Sequence, residues 1–190
     1  MSKWSLHVEE WKDCTRCHLS ETRKKIVLAK GEVPAEILFV GEAPGESEDV
    51  IGRPFVGPAG HLLDKIIEMS VGEINLHRTA DGKELLGVAY TNVVACIPRL
   101  GDGGKATEPD VESIISCLPR LEEFIEIVSP NLLVAVGELA SKWLAKIPHR
   151  EIPKVDIYHP AYILRSPLPS RGLMVQKAVA AITTAIEEWE

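Results

Sequence analysis

The chain has 190 residues, 45% of them hydrophobic, with 28 acidic against 21 basic side chains and a formal charge of −7. That length supports a core without disulfides, no apolar run approaches the roughly 18 residues of a membrane span, and the opening "MSKWSLHVEEWKDC" lacks the apolar centre of a signal peptide. A single cytoplasmic domain over 1–190, monomeric, is expected. Net acidity argues against a nucleic-acid partner only on average. Basic residues gather at Arg23-Lys24-Lys25, around Arg99 and Lys105, and at Arg165 and Arg171, while much of the acid lies in "EPDVESIISCLPRLEEFIEI" and the terminal "AIEEWE". One basic face is compatible with that distribution.

In chain order, the first candidate strand is Ile37 to Gly41, followed by the loop "EAPGESEDVIGRPFVGPA" and a one-sided helix from Gly60 to Met69. A strand at Tyr90 to Cys96 precedes a helix from Pro109 to Val128; a strand at Leu132 to Gly137 precedes a helix from Glu138 to Lys146; a last strand, Val155 to Tyr158, precedes a helix from Arg171 to Trp189. The strands are nearly continuous in apolar character, as strands covered on both faces are. The helices carry apolar residues at i, i+3 and i+4. This alternation predicts an α/β fold with a mostly parallel sheet of about four strands and helices on both sides. Ligands of such sheets bind at the carboxyl ends of the strands, where the loop after Gly41 lies.

Four cysteines need a place. Cys14 and Cys17 form a C-x-x-C pair, Cys96 ends the second predicted strand, and Cys117 sits in the following helix. A disulfide framework does not suit a cytoplasmic chain. Cys96 and Cys117 could be small buried hydrophobes, or all four could converge on a metal. Spacing leaves tetrahedral zinc and a four-iron cluster equally open.

The strings "GEAPGESED", "GRPFVGPAG", "TNVVAC" and "HPAYILR", in that order and with the four cysteines in matching places, resemble the motifs of the family 4 uracil-DNA glycosylases, the iron-sulfur branch of the uracil-DNA glycosylase superfamily. The resemblance reaches from Cys14 to Arg165. It implies a three-layer α/β/α sandwich, a [4Fe-4S] cluster held by Cys14, Cys17, Cys96 and Cys117, DNA as partner, and a flipped pyrimidine as substrate.

The chemistry accounts for the loop's composition. A glycosylase takes its target nucleotide out of the stack and holds the base where its leaving charge can be stabilised. Gly41 and Ala43, with Pro44 and Gly45, would form a tight turn that lets backbone approach the base. By resemblance Glu42 lies beside the attacking water and Glu48 forms the wall near the pyrimidine C5 edge, whereas Glu46 and Asp49 are expected to be solvated loop acids. Phe55, among glycines and prolines, would be the stacking platform, the alternative being ordinary core. Asn92 is an amide in an apolar strand; by resemblance it reads the base edge, the alternative being an amide satisfied by nearby backbone. His159 matches the histidine that donates to the departing base. Tyr162 to Arg165 would then be a loop pressed into DNA, with Leu164 a candidate wedge and Arg165 contacting phosphate.

The resemblance implies monofunctional hydrolysis, and no lysine stands at a motif position to form a Schiff base. Three segments depart from the family pattern. These are the long stretch between Phe55 and Asn92, with a turn expected at Asp81-Gly82; "IPRLGDGGKATEPD" after Cys96; and the short segment from Glu138 to His159. They leave the excised base open between uracil, as in repair, and a bulky modified pyrimidine such as glucosylated hydroxymethylcytosine in phage DNA, as in antiviral defence. A non-catalytic iron-sulfur DNA-binding module is the third reading, disfavoured by the joint presence of Glu42, Phe55, Asn92 and His159.

Overall fold

The structure, a computed structural model, describes residues 1–70, 87–99, 104–147 and 152–188. Helix α1 (Lys3–Trp11) starts where Ser2 Oγ accepts the N–H of Ser5. A turn carrying two cysteines leads to the short α2 (Leu19–Thr22) and to a two-residue strand β1 (Lys30–Gly31). Strand β2 (Ile37–Gly41) is followed by α3 (Glu46–Ile51) and α4 (Pro58–Ser70). Then come β3 (Val88–Asn92), α5 (Val111–Val128), β4 (Leu132–Val136), α6 (Glu138–Leu144), β5 (Lys154–Ile157), α7 (Pro160–Arg165) and α8 (Leu168–Glu187).

The described strands form one sheet in the order β1-β3-β2-β4-β5, parallel except for β1, which runs antiparallel to β3. Every residue of β2, β3 and β4 is buried. The reason is visible in the alternation of faces. Leu38, Val40, Leu133 and Ala135 face a core closed by Leu121, Phe124 and Ile125 of α5 and by Trp143 and Leu144 of α6. Ile37, Phe39, Leu132 and Val134 face the opposite core, closed by Leu63, Ile66 and Ile67 of α4 and by Ile182 and Ile186 of α8. Both faces of the strands are therefore apolar, and the continuous apolar runs follow.

The three-layer α/β/α arrangement agrees with the sequence reading, with local differences. The second strand begins at Val88 and leaves the ladder after Asn92, four residues before Cys96. Val93 and Val94 remain buried but turn their N–H groups to the carbonyls of Gly41 and Glu42, at 2.8 and 3.1 Å. Burial alone had made them look like strand. The segment after Gly45 is helical, and the loop expected at Tyr162–Arg165 is part of α7. The expected turn at Asp81-Gly82 lies outside the described residues. Among the described residues no helix is long and apolar enough to cross a membrane.

Candidate active site

From β2 the chain moves to β3 on one side and later returns to β4 on the other, so the connections leaving the carboxyl ends of β2 and β4 diverge and open a crevice. A cleft of about 1140 Å³ lies there, and Glu42, Glu48, Phe55, Asn92, His159 and Arg165 are all part of its wall. Sequence positions spread over more than a hundred residues meet because four strand ends meet.

Gly41 closes β2 opposite Asn92, its register partner on β3. Asn92 is 3% exposed, and among the described residues no group hydrogen-bonds its carboxamide. Its backbone carbonyl is instead the acceptor, taken by the buried guanidinium of Arg120. A carboxamide held this way, nearly dry and facing a cleft, has donor and acceptor capacity left for a ligand. Among the described residues no backbone group is bonded to that carboxamide.

Phe55 belongs both to the core and to the cleft wall. Its ring is 6% exposed and packs at 5.9 Å from the Tyr90 ring in the core beside α4 and α8, yet it also lines the cleft. The residue has φ +52°, a left-handed conformation that an aromatic rarely adopts. Glu48 accounts for the chain path around it. Its carboxylate accepts the N–H groups of Val56 at 2.9 Å and Gly57 at 3.0 Å, and reaches back to Gly45 at 3.2 Å. Glu48 is thus a wall residue of the cleft whose oxygens are occupied by backbone.

His159 precedes Pro160 at the start of α7, and its Nδ1 accepts the N–H of Ala161 at 3.1 Å. The lone pair of the neutral ring is therefore on Nδ1 and the proton on Nε2. Burial, then the positive charge of Arg165, push its pKa below the usual value, opposed by Glu48. A neutral donor results. Burial pushes the Glu42 carboxyl above the usual range, and Glu108 adds repulsion from the loop that brings Ala106 and Thr107 to the cleft. Ala43 also lines this wall. On α7, Arg165 reaches the cleft while Leu164 is half-buried beside it; Tyr158 and Tyr162, 44% and 51% exposed, stack at 6.2 Å on the same rim.

The structure corrects one expectation about the acids of the loop. Asp49 is fully buried, accepting the N–H of Lys24 at 2.8 Å and approaching Arg99 at 3.4 Å, and Glu46 pairs with the same arginine. Both acids tie α3 to flanking segments. Glu48, at the third position of α3, accepts the Gly45 N–H and caps that helix, while Asp49 beside it is buried.

Cys14, Cys17, Cys96 and Cys117, all free, line one small cavity beside Trp11. Arg23 donates to Cys96 Sγ at 3.3 Å and Arg120 Nε to Cys117 Sγ at 3.4 Å. Burial raises the thiol pKa of Cys17, and that of Cys96 to about 11. Among the described residues, no three His, Cys, Asp or Glu side chains converge tightly enough to hold a single metal ion. Four thiols around one space, with cationic donors aimed at two sulfurs, do fit the donor chemistry of a larger thiolate-bound group.

A parallel α/β sheet with this cleft defines a class. The profile of the Uracil DNA glycosylase superfamily matches residues 28–183, and the chain belongs to that superfamily. Within it, the chain is similar to the type-4 uracil-DNA glycosylases. It is 34% identical over 184 residues to that of Sulfurisphaera tokodaii, covering 84% of this chain and 74% of the relative. It is 33% identical over 172 residues to that of Thermotoga maritima, covering 83% and 81%. The solution structure of a candidate uracil DNA glycosylase from Methanosarcina acetivorans shares the fold, with a TM-score of 0.56 at 16% identity over 86% of this chain and 98% of that one.

Proposed function

We propose that the chain removes uracil from DNA as a monofunctional glycosylase, hydrolysing the N-glycosidic bond of a flipped deoxyuridine and leaving an abasic site for base-excision repair. The observation that carries this reading is the convergence on one cleft of the Asn92 carboxamide, which has no hydrogen-bond partner among the described residues, the Phe55 ring and a neutral His159 donor. A flipped pyrimidine has a face to be stacked, an amide edge to be paired and an oxygen that gains charge as it leaves. Phe55 supplies the first contact and Asn92 the second. His159 Nε2–H supplies the third, and being neutral it stabilises the developing oxyanion without first giving up a proton to it.

Glu42 positions water against C1′, and its ionised form also opposes the positive charge that grows on the sugar. Its burial strengthens that interaction by excluding solvent. Glu48 acts at one remove, holding the turn that carries Phe55. Gly41 and Ala43 keep the strand end open to the base. Arg165 contacts phosphate at the rim, and Leu164 provides an apolar edge toward the displaced stack, next to the exposed Tyr158-Tyr162 pair.

Cys14, Cys17, Cys96 and Cys117 are proposed to hold a [4Fe-4S] cluster. When bound, it would cross-link the turn before α2, the segment after β3 and the first half of α5. The test of the activity is a duplex with one uracil. Free uracil and an alkali-labile site should appear without strand cleavage before alkali. Cleavage without alkali would contradict the monofunctional reading.

A further inference from the structure

Lys30 stands on the short edge strand β1, outside every motif described above, and its ammonium donates to the backbone carbonyl of Phe55 at 2.9 Å. The nitrogen also lies 4.4 Å from the centre of the Tyr90 ring, which packs against the Phe55 ring. Tyr90 is the register partner of Lys30, so β1 pairing with β3 places the lysine over the ring. Its pKa is lowered, chiefly by burial.

The carbonyl that Lys30 holds and the Val56 N–H that Glu48 holds belong to the same peptide unit. A cation therefore grips the oxygen end and an anion the nitrogen end of one peptide plane. Rotation of that plane would present each end to the wrong charge. Phe55 sits at φ +52°, a conformation unfavourable for a non-glycine residue, and such residues persist only where their surroundings over-determine them. Gly60 near the start of α4 leaves room for that carbonyl, since a Cβ there would fall against the Phe55 oxygen.

From this geometry we propose that Lys30 is a positioning residue of the active site. With Glu48 it locks the Phe55–Val56 peptide, and so presents the Phe55 ring to the flipped base. The proposal rests on the stacking role given to Phe55 above. Lys30 itself touches neither base nor sugar. Its effect must therefore pass through Phe55, and that requirement makes it testable.

The experiment is a double-mutant cycle of Lys30→Met and Phe55→Ala, read as single-turnover excision from a uracil duplex and as inhibition by free uracil. Thermal melting accompanies each variant. Lys30→Met removes the donor while keeping most of the side-chain volume. Loss of one hydrogen bond to a charged group corresponds to roughly a tenfold to hundredfold fall in rate, with a parallel loss of inhibition by uracil. Lys30→Arg, which keeps a donor, should recover most of both. In the Phe55→Ala background, Lys30→Met should have little further effect. Independent, multiplicative losses would overturn the proposal, as would a Lys30→Met variant that excises uracil at the parent rate while Phe55→Ala is impaired. A parent-like Phe55→Ala variant would overturn the stacking role itself, a result distinguishable from failure of the lysine alone.

Discussion

Gly41 and Asn92 face each other across β2 and β3, and a methyl group on Gly41 would lie 2.4 Å from Asn92 Oδ1 and 2.6 Å from Phe55 Cζ. The missing side chain is what lets the amide and the ring share one corner of the cleft. Gly41→Ala must displace one of them. Misplacement of a contact group by about 1 Å can cost on the order of 10²-fold, so kcat/KM for uracil excision should fall by about that factor. An alanine variant at parental kcat/KM would show that the corner tolerates the methyl and that this contact does not set the pocket.

The hydrogen bond from Ala161 to His159 Nδ1 leaves Nε2–H as the donor, and burial with Arg165 keeps the ring neutral. His159→Ala should reduce the single-turnover rate by about 10²–10³-fold while binding to uracil DNA changes little, because the bond matters most as charge develops. The pH dependence has a definite sign. The folded-state pKa lies below the usual 6.5, so the neutral donor persists through neutral pH and is lost only as pH falls through the lowered value. In that window the unfolded chain binds more protons than the folded one, so stability falls with pH as well. Arg165→Gln should move the acid limb upward. A limb that rises above 6.5 in the parent enzyme would contradict the assignment.

Glu42 shifts the other way. Burial and then Glu108 raise its carboxyl pKa above the usual 4.5, so the ionised form is lost earlier on acidification than in an ordinary glutamate. A raised folded-state pKa stabilises the fold below the unfolded value and that contribution disappears as pH rises through the folded one. Glu42→Gln should lower the rate without a matching loss of DNA affinity. Glu108→Gln should leave the neutral-pH rate near the parental one and move the limb assigned to Glu42 to lower pH. An unmoved limb would separate the two carboxylates functionally.

The cysteine quartet gives an analytical prediction. Protein purified without oxygen should be brown, with iron and sulfide close to four each per chain as expected of a [4Fe-4S] site. Cys→Ser changes at Cys14, Cys17, Cys96 or Cys117 should reduce soluble yield before they alter the rate of what remains. Colourless protein carrying one zinc would contradict the cluster.

How much of this was legible depends on the kind of interaction. Strands β2 and β4 show in the sequence because both their faces are covered, which writes burial as an unbroken apolar run. The two-residue β1 carries no periodicity at all, so the placement of Lys30 over Tyr90 could not be read. Asn92 stood out as an amide among apolar neighbours, and His159 as the residue after the last strand. Glu48 was singled out by resemblance alone, because its partners are backbone N–H groups eight and nine residues away, invisible to side-chain patterns. Asp49 looked like its neighbour Glu46. The difference arises from the helical rotation of α3, which sends one carboxylate to the Lys24 N–H and leaves the other on Arg99 at the surface.

Excision of uracil by this cleft can be tested by substrate choice. The most direct measurement offers matched duplexes carrying one uracil, one hydroxymethylcytosine or one glucosylated hydroxymethylcytosine, and scores alkali-labile abasic sites under single-turnover conditions, with His159→Ala as control. A pocket can discriminate one methyl by about 1–3 kcal/mol but cannot admit a sugar by small adjustments. Strong cleavage at uracil, none at the sugar-bearing base, and loss of the uracil signal in the control are expected. Excision of the glucosylated base in preference to uracil, or of none of the three, would contradict the uracil assignment.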